Sequence, residues 1–186
     1  MAIIVCYVNG YGATDNLADG NYGRYLSSVI GYLRRTHPQD AIALYLSGGY
    51  TNRTDLTEAE SMRRILEHQG IISGTDLTIT RLETPYTARE GLQTLRERVG
   101  SATRVTIFCE YSRQWTMRFF ARQLFARATV IGIPFDASSM KLAHRLKQIF
   151  FHLPLEAGAW HSAFIDRLRK QLRDRHVAKA RSRSAE

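Results

Sequence analysis

Short apolar runs alternate with segments of helical periodicity along most of this chain, and that alternation constrains its fold more than any other feature. Strands are predicted over residues 3–8, 41–46, 76–80, 103–109 and 129–133, each short and rich in β-branched, aliphatic or aromatic side chains. Between them, helices are predicted over residues 22–36, 58–68, 87–99 and 113–126, and two more over 138–151 and 159–177. His37-Pro38 stops the first helix, while Gly70 and Gly100 stand where the second and third end. Strands joined through helices need crossover connections, which make them parallel and cover the sheet on both faces. The expected fold is α/β: a doubly wound, mainly parallel sheet of about five strands, with extra helices near the C-terminal end. A chain of 186 residues is long enough for one such domain, expected over residues 1–178, with a basic, disordered tail over 179–186.

Several chemistries are absent from the sequence. The six histidines show no metal-ligand spacing, so no metal site is expected. Gly10-Tyr11-Gly12 lacks the third glycine of a dinucleotide fingerprint, and no Gly-Lys-Ser/Thr or Gly-x-Ser-x-Gly motif occurs. Cys6 and Cys109 lie in separate apolar runs and read as buried thiols rather than a disulfide. No apolar run reaches the ~18 residues of a membrane span. The N-terminus enters a strand pattern with no basic leader, so the expected location is a bacterial-type cytoplasm.

The net charge of +9 is unevenly placed. Residues 167–186 carry eight Lys/Arg against two Asp/Glu, a net of +6, which leaves +3 for the rest. Trp160, Phe164, Leu168 and Leu172 recur every fourth residue and give the last helix one apolar stripe among basic faces. A docked surface helix with a solubilising tail is the favoured reading. Nucleic acid or an anionic membrane surface is the less favoured partner. Nothing in the sequence sets an oligomeric state.

In a doubly wound sheet, ligands bind outside the carboxyl ends of the strands. Four loops leave those ends: Asn9 to Asn16, Ser47-Gly48-Gly49 on to Asn52, Arg81 to Thr87 with Glu83 among them, and Cys109-Glu110-Tyr111-Ser112-Arg113. They are the candidate binding surface for a small anionic ligand. Gly48 and Gly49 either present amides to a phosphate or carboxylate at the mouth of the second helix, or simply make a tight turn. Thr57 caps that helix and Glu60 stands three residues on, as a capping box requires. Glu58 either favours the helix dipole or contacts a ribose, an amine or a metal-bound water. Glu83 and Glu110 are the candidate general bases, although Glu83 equally suits an ion pair with Arg81 or Arg89. Arg24 and Arg113 are candidate anion clamps, since a guanidinium fork matches phosphate and carboxylate.

The order of Gly10 and Gly12, Arg24, Ser47-Gly48-Gly49, Glu58-Ala59 with Met62, Gly70, Glu83 and Thr87 resembles the YdcF/SanA/ElyC-like domain family. The resemblance runs from Ile3 to Phe125 and is most specific in the spacing from Ser-Gly-Gly to Glu-Ala to Gly to Glu. It implies a Rossmann-like domain, links to cell-envelope chemistry, and S-adenosyl-L-methionine as the leading candidate ligand. Asn9, Gly10, Gly12, Arg24, Ser47, Gly48, Gly49, Glu58, Thr87, Tyr111 and Arg113 would then line the binding site. This chain departs from the family pattern in two places. Arg89-Glu90-Gly91 stands where Glu-Asn is usual, and Cys109-Glu110-Tyr111-Ser112-Arg113-Gln114-Trp115 stands, without a histidine, where the family has a Thr-Ser turn and then a histidine. Three functions follow as expectations: a ligand-binding protein, an enzyme on a phosphate-bearing envelope precursor, and an interaction protein using its basic C-terminal helix.

Overall fold

In the computed structural model, residues 3–50, 55–83, 87–136, 141–167 and 171 are described. Five strands, β1 (Ile3–Asn9), β2 (Ala41–Ser47), β3 (Leu77–Leu82), β4 (Arg104–Glu110) and β5 (Arg127–Ile133), form one parallel sheet in the order β3-β2-β1-β4-β5. Four helices connect them: α1 (Gly20–Thr36), α2 (Glu58–His68), α3 (Ala88–Val99) and α4 (Gln114–Leu124). This is the Rossmann-like, doubly wound α/β arrangement that the alternation predicts.

The central strand shows why both faces are covered. Along β1, Cys6 and Val8 pack with α1 and α2, whereas Val5 and Tyr7 pack with α3 and α4. Side chains alternate across a strand, so a strand buried on both faces needs apolar residues at consecutive positions. On α1, Tyr22, Tyr25, Leu26, Val29, Ile30 and Leu33 form the buried stripe at helical spacing.

The differences from the expected boundaries have local causes. Helix α1 begins at Gly20 because Asp19 accepts from Asn21 and Tyr22 N–H at 2.9 and 3.0 Å, a cap in a stretch that reads as loop. Strand β5 starts at Arg127, whose residues pair with β4 while their side chains stay exposed. At the C-terminal end the helix does not stop before Pro154. Helix α5 (Leu142–Lys147) continues through a π turn at Gln148–His152 into α6 (Leu153–His161). Leu153 N–H donates to the Gln148 carbonyl across that wide turn, where the next residue, Pro154, has no N–H to give. The break falls at Ser162, and helical structure resumes at residues 163–167. The expected reach of the last helix to residue 177 and the tail over 179–186 lie outside the described residues, residue 171 apart.

Candidate functional site

Strands β1 and β4 are neighbours, but their following helices pack on opposite faces of the sheet. This is the switch point at which such sheets open a crevice. The register brings Asn9 level with Ser47, Ser47 with Leu82, and Glu110 with Ile133, so the carboxyl ends form one rim.

On the β1–β2 side of that rim, the glycine loops enclose a protein carboxylate. Gly12 N–H donates to Oε1 of Glu58 at 2.8 Å. A Cβ on Gly10 would lie 2.6 Å from Glu58 Cβ, and one on Gly48 would overlap the same side chain. Both glycines therefore make room for Glu58, which is 8% exposed. The neighbouring amides are also engaged. Gly10 N–H donates to Ser47 O at 2.8 Å and Gly48 N–H to Leu82 O at 3.2 Å. At the mouth of α2, Glu58 and Ala59 N–H donate to the carbonyls of Gly49 and Gly48 at 3.0 and 3.2 Å. Thr57 Oγ1 accepts from Glu60 N–H at 3.0 Å. The amides of Gly10, Gly12 and Gly48, and the first two of α2, thus already have protein acceptors.

Beneath Glu58 lies a buried polar floor that the sequence reading did not anticipate. Tyr25 donates to Asn9 O at 3.1 Å, and Tyr22 donates to Gly12 O at 2.5 Å while accepting from Tyr11 N–H at 2.7 Å. Gly91, in the first turn of α3, leaves space for the Tyr7 hydroxyl and for Ser47 Oγ, which lies 2.5 Å from where its Cβ would be. Loss of hydration, reinforced by the nearby Glu58 carboxylate, raises the pKa of Tyr7 and of Tyr22 well above that of an exposed phenol. Burial likewise pushes the Cys6 and Cys109 thiols up to about 12, so both are inert as nucleophiles near neutral pH.

On the β4 side, Glu110 is fully buried and caps the 3₁₀ turn Tyr111–Arg113. Its Oε1 accepts from Ser112 N–H at 2.9 Å, and its Oε2 accepts from the Ser112 hydroxyl. Arg113 leaves that turn and stacks on Tyr11 across the switch point, Cζ to ring centroid 4.8 Å. Phe135, just beyond β5, closes on Tyr11 from the other direction with ring centroids 4.8 Å apart. Tyr111 packs against Gly132 of β5.

Other expected site residues stand apart. Arg24 is exposed on α1 and donates to Asn21 at 2.5 Å, because the buried stripe of α1 passes on either side of it. Thr87 caps α3, accepting from Glu90 N–H at 3.1 Å. Glu83 pairs with Arg81 at 3.3 Å and accepts from Thr57 at 3.3 Å. Arg89 instead turns to the C-terminal segment, donating to Ala159 O at 2.9 Å.

Glu60 completes only half of the capping box. Its carboxylate turns away from the cap to accept from Arg63 at 2.7 and 2.8 Å, from Arg64 at 2.8 Å, and from Arg81. The Arg63 hydrogen bonds, with those of Arg64 and Arg81, hold its carboxyl far below the usual carboxylate range.

No protein-family model, curated protein or solved structure matches the chain. The only guides to function are therefore the site itself and the motif order. Among the described residues, no group of three or more His, Cys, Asp or Glu is placed to hold a metal ion. A cleft of about 320 Å³ lined by Ile30, Leu33, Arg34, His37, Asp40 and Asp76 opens at the amino ends of β2 and β3. That is the end of the sheet opposite the crevice, away from the place where doubly wound sheets take ligands.

Proposed function

We propose that this chain binds a small nucleoside-like ligand bearing both a cation and an anion, with S-adenosyl-L-methionine the leading candidate. The observation that carries the reading is the Glu58 carboxylate held among Gly10, Gly12 and Gly48 at the carboxyl end of the sheet. A bare phosphate at that rim would meet a carboxylate and amides already engaged, whereas ribose hydroxyls or an ammonium would meet an acceptor. Arg113, stacked on Tyr11 at the mouth of the crevice, supplies the cation for a ligand carboxylate. The motif order, which resembles that of the YdcF-like family, supports the same ligand.

Catalysis has less support. Both oxygens of Glu110 are taken by Ser112, and Glu83 is paired with Arg81, so neither stands ready as a general base.

The test is a thermal-shift series with S-adenosylmethionine, S-adenosylhomocysteine, nucleotides, sugar nucleotides and inorganic phosphate. At ~100 times its dissociation constant, a ligand adds about 2.7 kcal/mol, which is roughly 5–11 °C for a domain of this size. S-adenosylmethionine should raise the melting temperature of the parent, and Glu58→Gln and Arg113→Ala should abolish the rise while still folding. A rise with phosphate alone, or none with either adenosyl compound, overturns the reading.

A further inference from the structure

The C-terminal segment is docked by one side only. Trp160 packs edge-on to Phe119 and tilted on Phe120, with ring centroids 6.5 and 5.9 Å away, and Arg89 lies over its ring at 4.8 Å. Arg89 also pairs with Asp166 at 3.6 Å, and Ala159 is buried in the same contact. These contacts pin α6 to α3 and α4.

The other side faces outward and is apolar. Leu142, Leu146, Phe150, Phe151, Leu155 and Phe164 are 66%, 42%, 67%, 72%, 45% and 74% exposed. They are six of the eleven large hydrophobic residues exposed among the described residues, gathered within 23 positions of sequence. So many exposed apolar side chains on one short segment mark an interaction surface rather than ordinary scatter. Glu156 is the only acid in the sequence from 142 to 164, and Lys141, Lys147 and Arg167 are exposed on the same segment.

Charge selects the partner. Residues 141–186 contain eleven Lys/Arg and four Asp/Glu, a net of +7 out of +9 for the chain. A second copy would bring the same positive charge against itself. An RNA would answer the charge but leave Phe150 and Phe151 in water. An anionic lipid leaflet answers both, with phosphates at the depth of the lysines and arginines and acyl chains just beneath. We propose that the segment from Leu142 to Phe164 lies on an anionic membrane surface, inserting Phe150, Phe151 and Phe164, while the α/β domain stays in the aqueous phase. No helix among the described residues is long and apolar enough to cross a membrane, so the attachment is peripheral.

The test is co-sedimentation of the full chain with vesicles of phosphatidylcholine alone or mixed with phosphatidylglycerol. Binding should require phosphatidylglycerol and weaken in 0.5 M salt, which shortens the screening length to about 4 Å. The double variant F150S/F151S, altered only at exposed positions, should keep the parent melting temperature and bind at least about tenfold more weakly. Three results overturn the proposal: no binding to phosphatidylglycerol vesicles, binding that the double variant leaves unchanged, or a dimer in solution that the double variant dissociates.

Discussion

Two glutamates in the first turn of α2, two positions apart, are almost equally buried and have opposite surroundings. Glu58 lies at the carboxyl end of the sheet, where it accepts from the Gly12 amide and fills the space left by Gly10 and Gly48. Glu60 faces the outside of the β2–β3 edge and is held by the side chains of Arg63, Arg64 and Arg81. Backbone fixes a carboxylate by shape, and any added atom is felt. Arginines fix one by charge, with side chains a third to a half exposed, so salt and acid reach the interaction. The difference teaches that burial by itself does not mark a functional carboxylate. What differs is how each is held: Glu58 by the Gly12 amide and the shape of the glycine loops, Glu60 by the side chains of three arginines.

Gly48→Ala should have the largest effect, because a methyl group there overlaps Glu58 and the backbone has a positive φ that L residues rarely adopt. Overpacking of this kind costs about 1–3 kcal/mol, read as a fall in melting temperature of roughly 2–12 °C. A variant as stable as the parent would show that glycine at this position serves something other than Glu58.

Glu60→Gln should cost about 1–2 kcal/mol in dilute buffer and less in 0.5 M salt, as measured by urea unfolding. Glu58→Gln should show no such salt dependence. Because the folded carboxyl of Glu60 titrates below its unfolded value near 4.3, its stabilisation is fully present above that pH. It is lost progressively as the pH falls toward the depressed folded value, and Glu60→Gln should flatten that part of the profile. Equal salt responses for the two variants would erase the distinction between them.

The smallest effect belongs to Arg24→Ala. An exposed arginine whose side chain donates to Asn21 should change stability by no more than about 0.5 kcal/mol and leave the ligand-induced thermal shift intact. Loss of the shift in this variant would bring α1 into the site.

The five strands and the four helices between them exist, and their ends moved where a cap or a register decided them. The gap expected between the last two helices is closed by the π turn, and the break falls at Ser162 instead. Thr57 as the cap of α2 was legible because the cap and the N–H it binds are three residues apart. Asp19 escaped notice because Gly20 and Asn21 after it look like loop. The strand ends from which the carboxyl-end loops leave lie level along one edge of the sheet, but the contacts of the loop residues were not legible. Nothing local says that Gly10 and Gly48 share one neighbour, that Glu110 spends both oxygens on Ser112, or that Arg113 crosses the switch point to Tyr11. Phe135 and Tyr7 carry no motif at all and enter the site only through packing.

By itself the sequence determined that this chain is a parallel, two-faced α/β sheet, because side-chain period and helix capping act over a few residues and are written locally. Only the tertiary structure decided the strand order, the switch point between β1 and β4, and which carboxylate occupies the glycine loops. The contact from Gly12 to Glu58 joins residues 46 positions apart, and whether it forms depends on how β1 and β2 pair beneath it. Contacts of that range are set by the packing of whole elements, which no short stretch of sequence encodes.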